Sequence, residues 1–122
     1  MAKTTIAIFE RTLRWTPELQ RQFLDENVQI RGLANLTDEV FVQKQNKINV
    51  IVIVLANAET QCLQFLGRMA NKQNSPAIIV VGTPQTQELE WTARELGVSH
   101  FVSENFSSEE MADICRKLAS CH

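Results

Sequence analysis

Glycine is scarce, with four in 122 residues, and none stands in the turn Glu10-Arg11-Thr12-Leu13 that follows the first strand-like segment. Neither GxGxxG nor GxxxxGK(S/T) occurs, so no glycine-built backbone cradle for phosphate is encoded, which excludes dinucleotide and P-loop enzymes. The three cysteines, Cys62, Cys115 and Cys121, form no CxxC pair. A disulfide framework or zinc knuckle therefore has no ligand set, and a reducing cytoplasm is the expected compartment. Cys121-His122 closes the chain, but two adjacent ligands at a terminus make a poor metal site, and no metal or cofactor is expected. Basic excess is missing too: twelve Lys plus Arg stand against fourteen Asp plus Glu, a formal charge of -2. Phosphate neutralisation needs a basic surface, so no nucleic-acid partner is expected. No apolar run approaches the ~18 residues of a membrane span. Met1-Ala2-Lys3-Thr4-Thr5 runs straight into a strand-like segment, so the chain reads as soluble and unprocessed.

What is present is a core. Hydrophobic residues make up 44% of the chain, and at this length roughly two-thirds of the unfolded surface can be buried. One domain over 1–122 is expected. Strand-length apolar clusters recur at Ile6 to Phe9, Val28 to Leu33, Val50 to Leu55, Ala77 to Val81 and Ser99 to Ser103. Helical spacing fills the gaps, as in Leu19 and Phe23, in Leu63, Leu66 and Ala70, and in Met111, Ile114 and Leu118. Thr16-Pro17-Glu18 reads as an N-cap, a proline at the first helical position and a first-turn acid. Ser107 or Ser108 before Glu109 and Glu110 starts the last helix in the same way, and Gly97 suits a helix end.

The third and fourth strands are apolar at every position, as parallel strands covered on both faces require. They belong at the sheet centre. The second strand carries Gln29 and Arg31, and the fifth is short with polar ends, so both read as edges. The pattern predicts an α/β fold, a doubly wound five-stranded parallel sheet of order 2-1-3-4-5, flavodoxin-like with helices on both faces. Its functional crevice then lies at the carboxyl ends of the strands. Ala56-Asn57-Ala58-Glu59 and Gly82-Thr83-Pro84 follow the third and fourth strands and offer an amide, a carboxylate and a hydroxyl, without a nucleophile and base pair. His100 has no second ligand or acid at useful spacing and is given no role.

At these turns the chain resembles the CheY-like receiver domains of two-component response regulators, over nearly its whole length. Gly97-Val98-Ser99-His100-Phe101-Val102-Ser103-Glu104-Asn105-Phe106 is similar to the family's G-A-x-x-(Y/F)-(I/L)-x-K-P-F passage, matching at Gly97, Phe101 and Phe106. Glu104 and Asn105 stand where the family has Lys and Pro. Ile48-Asn49-Val50-Ile51-Val52-Ile53-Val54 resembles the run P-D-L-V-L-L-D, whose last residue is the phosphoacceptor aspartate; here it is Val54. The same spacing puts the family's acidic pair at Phe9 and Glu10, its loop proline at Ala58 and the following glycine at Cys62. Its strand-four hydroxyl falls at Gly82 counted from Gly97, or at Val81 counted from Pro76, with Thr83 adjacent.

Phosphorylation in that family needs a carboxylate nucleophile, oxygen ligands for Mg²⁺, and a lysine and a hydroxyl for the phosphoryl oxygens. Of these parts only Glu10 keeps its chemistry. The resemblance therefore implies a degenerate pseudo-receiver without the phosphoacceptor aspartate: a non-catalytic signal-transduction or regulatory module acting by phosphorylation-independent protein–protein interaction. Glu10 reads as a solvated strand-end carboxylate, paired with Arg11 or Arg14, before it reads as a cation ligand. Glu104 reads as an exposed loop acid. Phe101 matches the family's switch aromatic, and a moving or a fixed ring are both open. Trp91 lies in the helix before the fifth strand, where core packing is the plainer expectation and a partner contact the sharper one. Trp91, Phe101 and Glu104 are the candidate partner surface. The alternative function is a flavodoxin-like domain binding a small ligand, or acting as an enzyme, around Glu10, Asn57 and Thr83. Phosphorylation at a substitute hydroxyl, Thr83 or Ser103, is a third.

Overall fold

Strands that carry no polar side chain fold only where both faces are covered, and that requirement sets the architecture. In the computed structural model, which describes residues 4–33, 48–56, 58–69 and 76–120, β3 (Val50–Val54) and β4 (Ala77–Gly82) lie inside a parallel five-stranded sheet. Its order is β2-β1-β3-β4-β5, with β1 at Thr4–Phe9, β2 at Val28–Leu33 and β5 at His100–Ser103. The expected order and edges are those observed. Strand limits differ slightly: β1 begins two residues before Ile6, β3 stops at Val54 rather than Leu55, and β4 runs on to Gly82.

Helices α1 (Trp15–Gln22) and α4 (Ser108–Ser120) cover one face, burying Trp15, Leu19, Met111, Ala112 and Cys115 against Ile6, Ile8, Val50, Val52, Ile79 and Val81. Helices α2 (Glu59–Met69) and α3 (Glu90–Glu95) cover the other, where Cys62, Phe65, Leu66 and Ala93 meet Ala7, Phe9, Ile51, Ile53 and Val80. The alternation along β1 and β3 between the two clusters is the two-residue period of a strand. Each fully buried aliphatic or aromatic side chain contributes about 1.5–3 kcal/mol. Ala70, expected on the α2 face, lies outside the described residues.

Local signals account for most ends. Ser107 Oγ accepts the Glu110 amide at 3.1 Å, so Ser107 caps α4 as expected. Gly97 takes φ +95, and the amides of Gly97 and Val98 donate to the carbonyls of Arg94 and Ala93. This is the paired closure of a left-handed helix end, which only glycine adopts without strain. Asn49 registers β3 on β1: its Oδ1 accepts the Thr5 amide and its own amide donates to the Thr5 carbonyl, both at 2.9 Å. Thr16 does not cap α1. The helix starts two residues earlier than expected, at Trp15 rather than Pro17, and Arg14 holds the cap position without a side-chain cap bond.

At the amino end of the sheet, Arg116 of α4 joins the segment after α1. Its Nη2 lies 2.7 Å from Glu26 Oε2, its Nη1 lies 2.7 Å from Asp113, and its guanidinium stacks 4.8 Å from the Phe23 ring centroid. The hydrogen bond from Arg116 holds the Glu26 carboxyl below its ordinary value of 4.5. A depressed carboxylate stabilises the fold above its unfolded pKa and loses that contribution as pH falls through the folded value. Glu26→Gln should therefore lower the melting temperature at pH 7, and the gap from wild type should close as pH falls below 4.5. Thermal melts of both proteins between pH 3 and pH 7 check this, and a gap independent of pH would count against it.

Candidate functional site

Strand pairing decides what meets at the carboxyl ends. Val54 pairs with Val81, Phe9 with Ile53, and Gly82 with Ser103. Glu10, the residue after Phe9, therefore arrives beside Val54. Glu10, Val54, Val81 and Glu104 line one depression of about 150 Å³, together with Arg11, Thr12, Arg14, Trp15 and Ala56. Ligand pockets usually run from roughly 300 to 1,000 Å³, so this depression is small for an organic ligand. Phe9 takes no part: it is buried under the α2 layer. Asn57 lies outside the described residues.

Glu10 is not a solvated acid paired with Arg11 or Arg14. Its Oε1 accepts the Trp15 amide at 3.0 Å, and its Oε2 accepts the Thr16 amide at 3.0 Å and the Thr16 hydroxyl at 2.9 Å. The carboxylate thus satisfies the amides that the first turn of α1 leaves without helical partners, at the positive end of the helix dipole. That explains why no local side chain caps this helix. Both oxygens are already engaged, which weakens the case for Glu10 as a cation ligand.

The arginines are engaged as well. Arg11 Nη2 donates to Gln61 Oε1 at 3.0 Å. Arg14 donates from Nη1 to the carbonyl of Glu104 and from Nη2 to that of Phe106 at 3.5 Å. Its guanidinium lies 4.4 Å from the Trp15 ring centroid, and its Nε is 3.4 Å from Glu18 Oε2. Sequence reasoning gave Arg14 only a pairing role with Glu10; no local pattern signals a side chain that reaches across ninety residues of sequence.

Gly82 is buried, and Phe101 packs directly on it: a Cβ at position 82 would lie 2.6 Å from Phe101 Cε1 and Cζ. The ring is half-buried and packs against the core cluster on the α2–α3 face. In this structure the ring points inward onto Gly82. Thr83 is occupied in the turn Pro84–Leu89, where its amide donates to Thr86 Oγ1 at 2.7 Å. Ser103 Oγ accepts the Asn105 amide at 3.1 Å. Trp91 is 70% exposed, so the core reading of Trp91 is corrected: helix α3 turns Ala93, not the indole, toward the sheet.

Among the described residues the two cysteines, Cys62 and Cys115, offer no nucleophile. Burial, reinforced by Glu59, pushes the Cys62 thiol up to about 12, and burial does the same to Cys115. At neutral pH both stay protonated and unreactive. Among the described residues no cluster of three His, Cys, Asp or Glu side chains could hold a metal, and no helix is long and apolar enough to cross a membrane.

No protein-family model matches the chain, and no curated protein does. Solved structures do. The receiver domain of the TMAO respiratory system response regulator TorR superposes with a TM-score of 0.80 at 15% identity, covering 97% of this chain and 98% of that one. The receiver domain of a LuxO repressor protein from Vibrio parahaemolyticus gives 0.80 at 11% identity, covering 98% and 92%. An orphan response regulator of H. pylori gives 0.76 at 15% identity, covering 95% and 96%. The chain therefore has the fold of response-regulator receiver domains, from end to end of the domains it resembles.

The geometry around Glu10 makes a direct prediction. Glu10→Ala should destabilise the protein by about 1–2 kcal/mol, the usual effect of losing a helix cap. Glu10→Gln, which keeps one acceptor oxygen, should lose less. Denaturant midpoints measure both, and a Glu10→Ala change within about 0.5 kcal/mol of wild type, typical of a free surface acid, would contradict the cap.

Proposed function

We propose that this chain is a signal-transduction or regulatory module of the receiver type that recognises a partner protein without being phosphorylated and without catalysis of its own. The observation that carries this reading is the row at the carboxyl ends of β1, β3 and β4. Val54 stands where the resemblance puts the acceptor aspartate, Val81 pairs with it across the sheet, and Gly82 brings no hydroxyl. An alkyl side chain cannot take up a phosphoryl group. Glu104, in place of a lysine, adds negative charge where an anion would need positive charge. The internal use of Glu10 and Arg14 supports the same reading, because groups that would hold a cation or an oxyanion are bound within the protein.

A surface is left to do the work. Trp91 stands out from α3 beside β5, and an exposed tryptophan offers a large, rigid contact area of the kind that dominates protein interfaces. Trp91, Phe101 and Glu104 form the partner face in this proposal. Unreactive free thiols fit a reducing cytoplasm, where we place the module.

Two measurements test the loss of switching. Incubation with acetyl phosphate and Mg²⁺ should add no phosphate by intact mass, at Thr83, Ser103 or elsewhere. An amide-resolved NMR titration with Mg²⁺ and then beryllofluoride should show no saturable shifts. Phosphate incorporation would overturn the proposal, and saturable shifts around Glu10 and Thr83 would move the small-ligand reading ahead of it. On the partner side, Trp91→Ala should leave the melting temperature close to wild type, since the ring is solvated, while abolishing capture of the partner.

A further inference from the structure

β5 is the shortest strand of the sheet: four residues long, at an edge, paired only with β4 and with no fully buried side chain. Its ladder to β4 runs over His100–Ser103, and the Glu104 amide extends it to the Gly82 carbonyl. Two side-chain contacts add to that backbone pairing, and they come from opposite faces.

On the α2–α3 face, the ring of Phe101 fills the space that a Cβ on Gly82 would need, with Cε1 and Cζ both 2.6 Å from that point and Thr86 Oγ1 3.2 Å from it. On the α1–α4 face, Arg14 forks between the carbonyls of Glu104 and Phe106 while its guanidinium lies against Trp15 and its Nε against Glu18. Between these two points the backbone is tied in three steps. The Glu104 amide donates to the Gly82 carbonyl at 2.9 Å, the Asn105 amide to Ser103 Oγ at 3.1 Å, and the Phe106 amide to the Ser103 carbonyl at 3.0 Å. The glycine thus anchors β5 twice, through the empty volume where its side chain would be and through its carbonyl.

We propose that Phe101 seated on Gly82 and Arg14 bound to the Glu104 and Phe106 carbonyls form a two-sided clamp that holds β5 and residues 104–106 in one conformation without any ligand. Its meaning as a preset partner surface rests on the function proposed above, whereas the clamp itself is a property of the isolated protein. The guanidinium is suited to this task because its planar fork serves two acceptors at once, which an ammonium at the end of a flexible stem does not do in a fixed geometry. The phenyl ring suits its own task because its far edge, and not the backbone, meets the glycine.

The test uses the free protein, with no partner and no phosphodonor, so its outcome is independent of whether the functional reading holds. In Gly82→Ala the new methyl must displace the ring, so the Phe101 ring resonances shift and the Glu104 amide exchanges faster. In Arg14→Ala the Asn105 and Phe106 amides exchange about tenfold faster, with protection elsewhere in the sheet retained, as local opening requires. Arg14→Lys gives the same loss, since charge alone does not restore the fork. If Gly82→Ala is too unstable to study, Gly82→Ala with Phe101→Ala recovers the fold, because the smaller side chain removes the collision. Phe101 resonances unmoved in Gly82→Ala would overturn the proposal. So would exchange at 105 and 106 within about twofold of wild type in Arg14→Ala, or a double variant no better folded than Gly82→Ala.

Discussion

The constraint on which the structure depends is the burial of β3 and β4, complete but for Val54 at the end of β3. Strands reading VIVIV and AIIVVG have no face that water tolerates, so helices must cover both sides and the strands must sit at the sheet centre. Position in the sheet then dictates position in the crevice, since the carboxyl ends of the central strands are the floor of any site in this architecture. Here the apolar run does not stop short of that floor. Val54 and Val81 pair at the last rung of β3 and reach the depression as hydrocarbon. The residues that make the centre of the sheet stable are therefore the ones that leave the carboxyl end of β3 and its partner on β4 as hydrocarbon.

Polar groups near that floor are settled among themselves. A buried or half-buried carboxylate needs donors, and Glu10 finds three at the start of α1, two amides and one hydroxyl. A guanidinium needs acceptors, and Arg14 finds two backbone carbonyls on the far side of the crevice. A site prepared for an ion or an oxyanion leaves such groups under-satisfied and aimed at the position of the ligand. The arrangement here is the reverse. A ligand entering would have to replace bonds already made, which lowers its net gain.

The layout of the fold was legible in the sequence because it rests on patterns that sterics enforce locally. Continuous apolar runs marked β3 and β4, interrupted ones marked the edges β2 and β5, and Gly97 marked a helix end that the left-handed geometry confirms. Ser107 was legible as a cap for the same reason: its partner amide is three residues away. What escaped was non-local. Thr16 looked like the cap of α1 because Thr-Pro-Glu is a frequent helix start, yet a carboxylate from the end of β1 took the task first. Trp91 looked like core on composition, and its phase on a short helix turned it outward. Pairings such as Arg14 with Glu104 span ninety residues and leave no periodic trace.

The Gly82 position joins these threads. A hydroxyl-bearing side chain there would compete with the Phe101 ring for one volume, and the outcome of such a competition can be biased by whatever binds the hydroxyl. Glycine leaves that volume to the ring, which lies there in the structure while β5 pairs with β4 over His100–Ser103. In the clamp proposed above, a surface held in one conformation would not be switched by a ligand, because a ligand shifts populations only where two states exist to be told apart. It does gain in another way: a partner that docks on a preset face loses little free energy to ordering it. The absence of an acceptor at Val54 and the absence of a side chain at Gly82 are thus consistent with each other. In the proposed function, one would remove the signal that drives a transition, and the other would remove the alternative state that the transition would reach.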